Sequence, residues 1–269
     1  MSQPTYSPYV LVGLSTATYG AVLGSLYEKR QPHSSLRALV KAISAGHSIV
    51  ATCLTIASLS QPWTILPGSL KAGSIDSADR LDDSRNPLIS GKNSLANFIT
   101  AWEAGYLIYD TGAMFLESFV KDRSRGYCSA LIRLLRGSPV FVAHHALLIA
   151  SLLWLQTYVA VGREKGLQII MAFFLMNASN PLLHLRWWRK KSTGKSDVRV
   201  DAALAAVFAA TRFGSVYWVV EKYGQYHDFG VWEAFRRQRL ECQAGTGLLT
   251  GLNAVWWVGL VMQILRRKK

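Results

Sequence analysis

Residues 140–161 read VFVAHHALLIASLLWLQTYVAV, without one Asp, Glu, Lys or Arg, and the run closes at Gly162-Arg163. A helix needs about 20 predominantly apolar residues to cross the hydrocarbon of a bilayer, and this stretch has that length. The period-two alternation over about ten residues that marks a membrane barrel strand is absent. Lipid offers no partner to backbone N–H and C=O groups, so a segment of this kind has to bond its own amides and be a helix. The same reading applies at residues 9–26, 36–59, 95–120, 167–188, 202–220 and 247–265. The sequence therefore predicts an all-α polytopic integral membrane protein, with about seven transmembrane helices forming a barrel or bundle around a lipid-accessible cavity. The second segment holds Lys41 and His47 and is expected to lie partly in the interface.

Composition agrees with this class. Of 269 residues, 50% are hydrophobic and 17% charged, and the mean hydropathy is +0.17. The formal net charge of +14 raises the question of nucleic acid, but a nucleic-acid surface gathers Lys and Arg on one solvated face. Here they flank the spans, as topology signals and contacts to anionic headgroups do. The first, third and fifth connections and the tail Arg266-Arg267-Lys268-Lys269 carry about twice the Lys and Arg of the other connections. That bias puts the N-terminus in the lumen and the tail in the cytosol. The first twenty residues lack a basic n-region and a cleavage site, so residues 9–26 are read as a retained span. Residues 60–94, rich in Ser, Asp, Gly and Pro, are expected to form an irregular lumenal loop. Cys53, Cys128 and Cys242 show neither a disulfide framework nor metal-ligand spacing. Asn177-Ala178-Ser179 spells a glycosylation acceptor inside a span, where no transferase reaches it.

An ionisable group at mid-membrane costs about 2.5–3.5 kcal/mol on insertion scales, so it is expected to face protein or a watery cavity. In the third span Glu103, Tyr106, Asp110 and Glu117 are spaced by three, four and seven and share one helical stripe. The fourth span opens with His144-His145, whose side chains point about 100° apart; one can face a cavity while the other bonds a neighbouring helix. In the fifth, Asn177, Asn180 and His184 make a second stripe, and Pro181 frees a carbonyl one turn back, where a kink is expected. These amides also suit plain interhelical hydrogen bonds. Arg212, well inside the sixth span, needs a carboxylate, a ligand headgroup or water, and Asp110 is a candidate partner.

These segments, in this order, resemble the TLC-domain family, the membrane domain of ceramide synthases and of smaller TLC domain-containing proteins. The matching pieces are residues 105–110 (GYLIYD), His144-His145, residues 177–181 (NASNP) with Arg186-Trp187, and Arg212 with its aromatic surroundings. The resemblance divides the chain into a first helix with its cytosolic connection (1–35), a TLC-like domain (36–265) and a basic cytosolic tail (266–269). In the synthases it would imply that one histidine, here His144 or His145, accepts the acyl group or moves the proton when a fatty acyl-CoA is joined to a sphingoid base. The synthase motif carries Asp-x-x-Asp where this sequence has Asn177 and Asn180. An amide orients a histidine but does not neutralise an imidazolium.

The likeness is therefore closer to the small TLC proteins. The first expectation is a protein that binds an acyl chain or membrane lipid in its helical core and acts in membrane lipid homeostasis, with Tyr106, Asp110, Asn177, Asn180, His184 and Arg212 lining the site. The second is an acyl-CoA-dependent N-acyltransferase of the ceramide synthase type, centred on His144 or His145. It takes fatty acyl-CoA as co-substrate and needs no metal or other cofactor. A transporter ranks third, without the paired broken helices or inverted repeat of that class. Six histidines with one adjacent pair are too few for a di-metal hydroxylase, and no Gly-x-Ser-x-Gly elbow suggests a hydrolase. The resemblance implies the endoplasmic reticulum membrane, with the plasma membrane as the alternative.

Overall fold

The computed structural model describes residues 7–28, 36–65, 81–121, 124 and 126–266. In chain order the helices are α1 (Pro8–Glu28), α2 (Leu36–Ser60), α3 (Pro87–Ser90), α4 (Ser94–Val120), α5 (Gly126–Gly137), α6 (Pro139–Ala160), α7 (Leu167–Phe174), α8 (Asn180–Thr193), α9 (Val198–Tyr226), α10 (Val231–Arg237) and α11 (Leu240–Leu265), with a 3₁₀ helix, Leu175–Ser179, joining α7 to α8. The strands β1 (Thr64–Ile65) and β2 (Gly91–Lys92) pair antiparallel. The fold is all-α, and among the described residues α1, α2, α6, α9 and α11 are long and apolar enough to cross a membrane.

Two of the seven expected spans fall outside that set, each for a chemical reason. α4 has the length, 27 residues, but carries Glu103, Asp110 and Glu117 along with several hydroxyls. The segment expected at 167–188 is not one continuous α-helix. Pro181 lacks the N–H that would bond the carbonyl of Asn177, and that carbonyl takes the N–H of Asn180 instead, which tightens the preceding turns to 3₁₀. The 3₁₀ segment, one turn before Pro181, separates α7 from α8. α2, expected to be partly interfacial, is one of the five.

Contacts divide the chain into two compact units. The first comprises residues 1–47 and 97–164, and so holds α1, the start of α2, most of α4, α5 and α6. Hydroxyls inside its spans bond carbonyls: Thr16 and Thr18 those of Val12 and Leu14, Thr111 that of Leu107. This lets small polar residues lie in an apolar helix without an orphan donor. α1 meets α4 at close range, because Ser15 Oγ donates to the Trp102 carbonyl at 2.7 Å and Thr16 Oγ1 to that of Gly105 at 3.0 Å. α5, read in sequence only as a basic connection, is a short amphipathic helix whose Ala130 and Leu134 are buried, with Ser118 Oγ of α4 donating to the Ala130 carbonyl.

The second unit comprises residues 48–96 and 165–269. α9 is its centre: α7, α8, α10 and α11 all pack on it. Asp197 caps α9 by accepting the N–H of Arg199. Residues 66–80 of the loop expected at 60–94 lie outside the described residues; the remainder is ordered by β1, β2 and α3. Asn86 caps α3, and Gly91 lies so close to the Pro87 carbonyl that no side chain fits there. Leu88 of α3 joins Val220, Tyr223 and Ala234 in a buried cluster. Cys53, Cys128 and Cys242 are free thiols.

Candidate functional site

The polar stripe of α4 points into the first unit: Glu103, Tyr106 and Asp110 are each less than a tenth exposed. Glu117, two turns on, lies at the rim, paired with Arg37 at 3.3 Å and Lys121 at 3.1 Å. Around the buried residues two histidine–carboxylate pairs form, and their hydrogen bonds fix the tautomers.

In the first pair, His47 Nε2 lies 2.9 Å from Glu103 Oε2, and the Tyr19 hydroxyl lies 2.7 Å from His47 Nδ1. The Glu103 carboxylate accepts from Nε2–H, which in a neutral imidazole leaves the Nδ1 lone pair to accept the Tyr19 O–H, while Trp102 Nε1 donates to the Tyr19 oxygen at 3.0 Å. Tyr106 stacks on the imidazole, ring centroids 3.4 Å apart and 9° between planes. The network is closed, and a Tyr19→Phe substitution would leave two ring nitrogens without their partner. It is expected to lower stability by about 1–3 kcal/mol, read as a lower thermal midpoint in detergent. An unchanged midpoint would show that water replaces the hydroxyl.

In the second pair, Ser44 Oγ donates to Asp110 Oδ1 at 3.2 Å, and His145 Nε2 stands 3.8 Å from Asp110 Oδ2. Thr111 Oγ1 spends its one proton on the Leu107 carbonyl, so it accepts from His145 Nδ1–H at 3.0 Å. The lone pair of neutral His145 is then on Nε2, facing the carboxylate without a hydrogen bond. An imidazole that takes up a proton there is stabilised at once by Asp110. Lys41 lies within electrostatic reach of Asp110 and Glu117. Of the two adjacent histidines, His145 is the buried one, at 5% exposure; His144 is half-buried, its ring 6.1 Å from that of His145.

The other predicted site residues come together in the second unit. Asn180 Nδ2 donates to Asn177 Oδ1 at 3.1 Å, and Arg212 Nη2 to Asn180 Oδ1 at 3.4 Å. Arg212 Nη1 donates to Asn253 Oδ1 of α11 at 2.9 Å, while Phe208 and Trp256 flank the guanidinium. Within this unit the described partners of Arg212 are thus amide oxygens. His184 is buried in α8, at 7% exposure. Towards the end of α8 that leads to α9, Arg186 pairs with the fully buried Asp201 at 2.7 Å and with Gln263 at 2.6 Å.

The family model for the TLC domain (TRAM/LAG1/CLN8) matches residues 37–263. The chain belongs to the TLC-domain family. No curated protein and no solved structure matches it. Membership makes this TLC protein an integral membrane protein related to lipid metabolism. Sequence reasoning singled out Asp110, His145, Asn177, Asn180 and Arg212, but missed His47, Ser44, Thr111 and Asn253 as their companions. His47 left a trace, being a histidine in an apolar segment of a chain that also carries Glu103 in a span. Thr111 and Ser44 left none, since hydroxyls are common in membrane helices.

A third polar cluster lies at the far end of α9. His227 Nε2 is 2.9 Å from Asp83 Oδ1, with the Tyr223 hydroxyl 3.4 Å from the other carboxylate oxygen. It borders a cavity of about 380 Å³ lined also by Arg237, Arg239 and Glu241.

Proposed function

We propose that this TLC protein handles lipid, holding an acyl chain or membrane lipid against its helical core in the endoplasmic reticulum and contributing to membrane lipid homeostasis. The observation that carries the reading is the engagement of Asn180 with both Asn177 and Arg212. At the positions where ceramide synthases carry two carboxylates, this chain has two amides bonded to each other, one of them accepting from a cation, an arrangement suited to binding and not to supporting a charged histidine. The apolar exteriors of the spans, with Trp154 67% and Val255 70% exposed, support residence in lipid.

The His145 tautomer favours one second reading, N-acyl transfer. With fatty acyl-CoA and an amine such as a sphingoid base, His145 Nε2 takes the amine proton as nitrogen attacks the thioester carbon. The C–S bond then breaks, and the imidazolium returns that proton to the leaving thiolate, giving amide and free coenzyme A. Asp110 stabilises the imidazolium between these steps. The test is a lipid analysis of protein purified in mild detergent, paired with an assay for fatty acyl-CoA plus sphingoid base. Amide formed by the wild type, lost at least a hundredfold in His145→Ala and kept within a few-fold in His144→Ala, would make the protein an enzyme. Co-purified lipid without turnover supports the lipid-holding reading, and neither lipid nor turnover would overturn both.

A further inference from the structure

Arg212 sits 14 residues from each end of the 29-residue α9, so its Cα is about 21 Å from either end along the axis. Its described partners are the oxygens of Asn253 and Asn180, which are neutral, so no carboxylate among them offsets the charge. Two donors in this cluster have no acceptor among the described residues: Arg212 Nε and the Asn253 amide nitrogen. Asn253 is 1% exposed, and its orientation is forced, because turning the amide would set its nitrogen against the guanidinium. Phe208 and Trp256, at 4.4 and 6.0 Å from the guanidinium carbon, keep the cluster apolar on its flanks.

A partly buried positive charge whose Nε–H has no acceptor among the described residues is complementary to an oxyanion. The Nε edge of a guanidinium takes two oxygens of one carboxylate or phosphate, and Nη2 on that edge holds Asn180 only at 3.4 Å. We propose that Arg212, held in place by Asn253, forms the headgroup anchor of the lipid site and selects lipids with an anionic oxygen group, a carboxylate or a phosphate. This rests on the lipid-holding reading and adds the class of ligand. The place of Arg212 midway along a helix apolar enough to cross a membrane favours an amphiphile, whose chain partitions into lipid, over a free ion from water.

The test uses the full chain in mild detergent at mildly alkaline pH, with a long-chain fatty acid, its methyl ester, and inorganic phosphate or acetate as competitors. The acid is expected to bind at least about tenfold more tightly than the ester, and millimolar phosphate or acetate is expected not to displace it. Arg212→Gln should weaken the acid at least about tenfold and leave the ester within about twofold. Asn253→Asp covers the case in which that variant fails to fold: its new carboxylate pairs with Arg212 inside the protein, so the fold is kept and the acid alone is excluded. Acid and ester binding equally in wild type and variants would overturn the anchor and leave the lipid-holding reading intact. Displacement by free phosphate or acetate would overturn the assignment to a lipid headgroup. Binding of neither acid nor ester would overturn both.

Discussion

Arg186→Ala is expected to lower the stability of the protein by about 3–5 kcal/mol, a large fraction of the net free energy that keeps a chain folded. Asp201 has no exposed surface, and Arg186 Nε bonds it at 2.7 Å while Nη2 reaches Gln263, so one guanidinium ties α8, α9 and α11. Removing it takes that cation away from a carboxylate that stays buried. Asp201 lies in the first turn of α9, where the helix dipole favours an anion by about 0.3–1 kcal/mol, which offsets only a small part. Unfolding in detergent measures the cost. Changing both partners, Arg186→Met with Asp201→Leu, should cost far less than the single change, because the penalty comes from a buried carboxylate that has lost this cation. A cost below about 1 kcal/mol for Arg186→Ala would show that the pair is solvated, as surface ion pairs are.

Gly105→Val is expected to destabilise the first unit by about 3 kcal/mol, the upper part of the range for overpacking. A Cβ at Gly105 would collide with the Val12 carbonyl and stand 2.6 Å from the Ser15 Cβ. A backbone carbonyl and a helix-borne Cβ do not move aside as a flexible side chain does. α1 must then back away from α4, which breaks the Ser15 and Thr16 bonds to α4 carbonyls. Gly112→Val is the matched control two turns along the same helix, where a Cβ meets nothing within 4 Å. It should stay within about 0.5 kcal/mol of wild type. Equal effects at the two positions would show that the cost is loss of helical glycine and not of helix contact.

Run length made the class and the five apolar spans legible, and helical spacing made the α4 stripe legible. Residues 103, 106 and 110 fall on one side by arithmetic alone, and the 100° step separates His144 from His145. Which histidine turns inward was not legible, since that depends on how α6 is rotated against Asp110 and Thr111. The partner of Arg212 was not legible either. It is Asn253, 41 residues away on another helix, and electrostatics favoured a carboxylate where the fold supplies an amide. The tightening to 3₁₀ before Pro181 was legible in position, because a missing N–H has a fixed address, whereas the continuity of the span was overestimated from hydropathy.

The hydroxyl of Tyr19 has a consequence for where this protein can be cut. The family match begins at residue 37, yet Tyr19 and the α1 side chains that bond α4 all precede it. A chain trimmed to the homologous segment would strip the indole of Trp102 and the Nδ1 of His47 of their shared partner and bare the notch at Gly105. The segment that matches the family and the unit that folds have different edges here, and expression trials that begin at α2 should yield aggregate where those that begin before Pro8 yield protein.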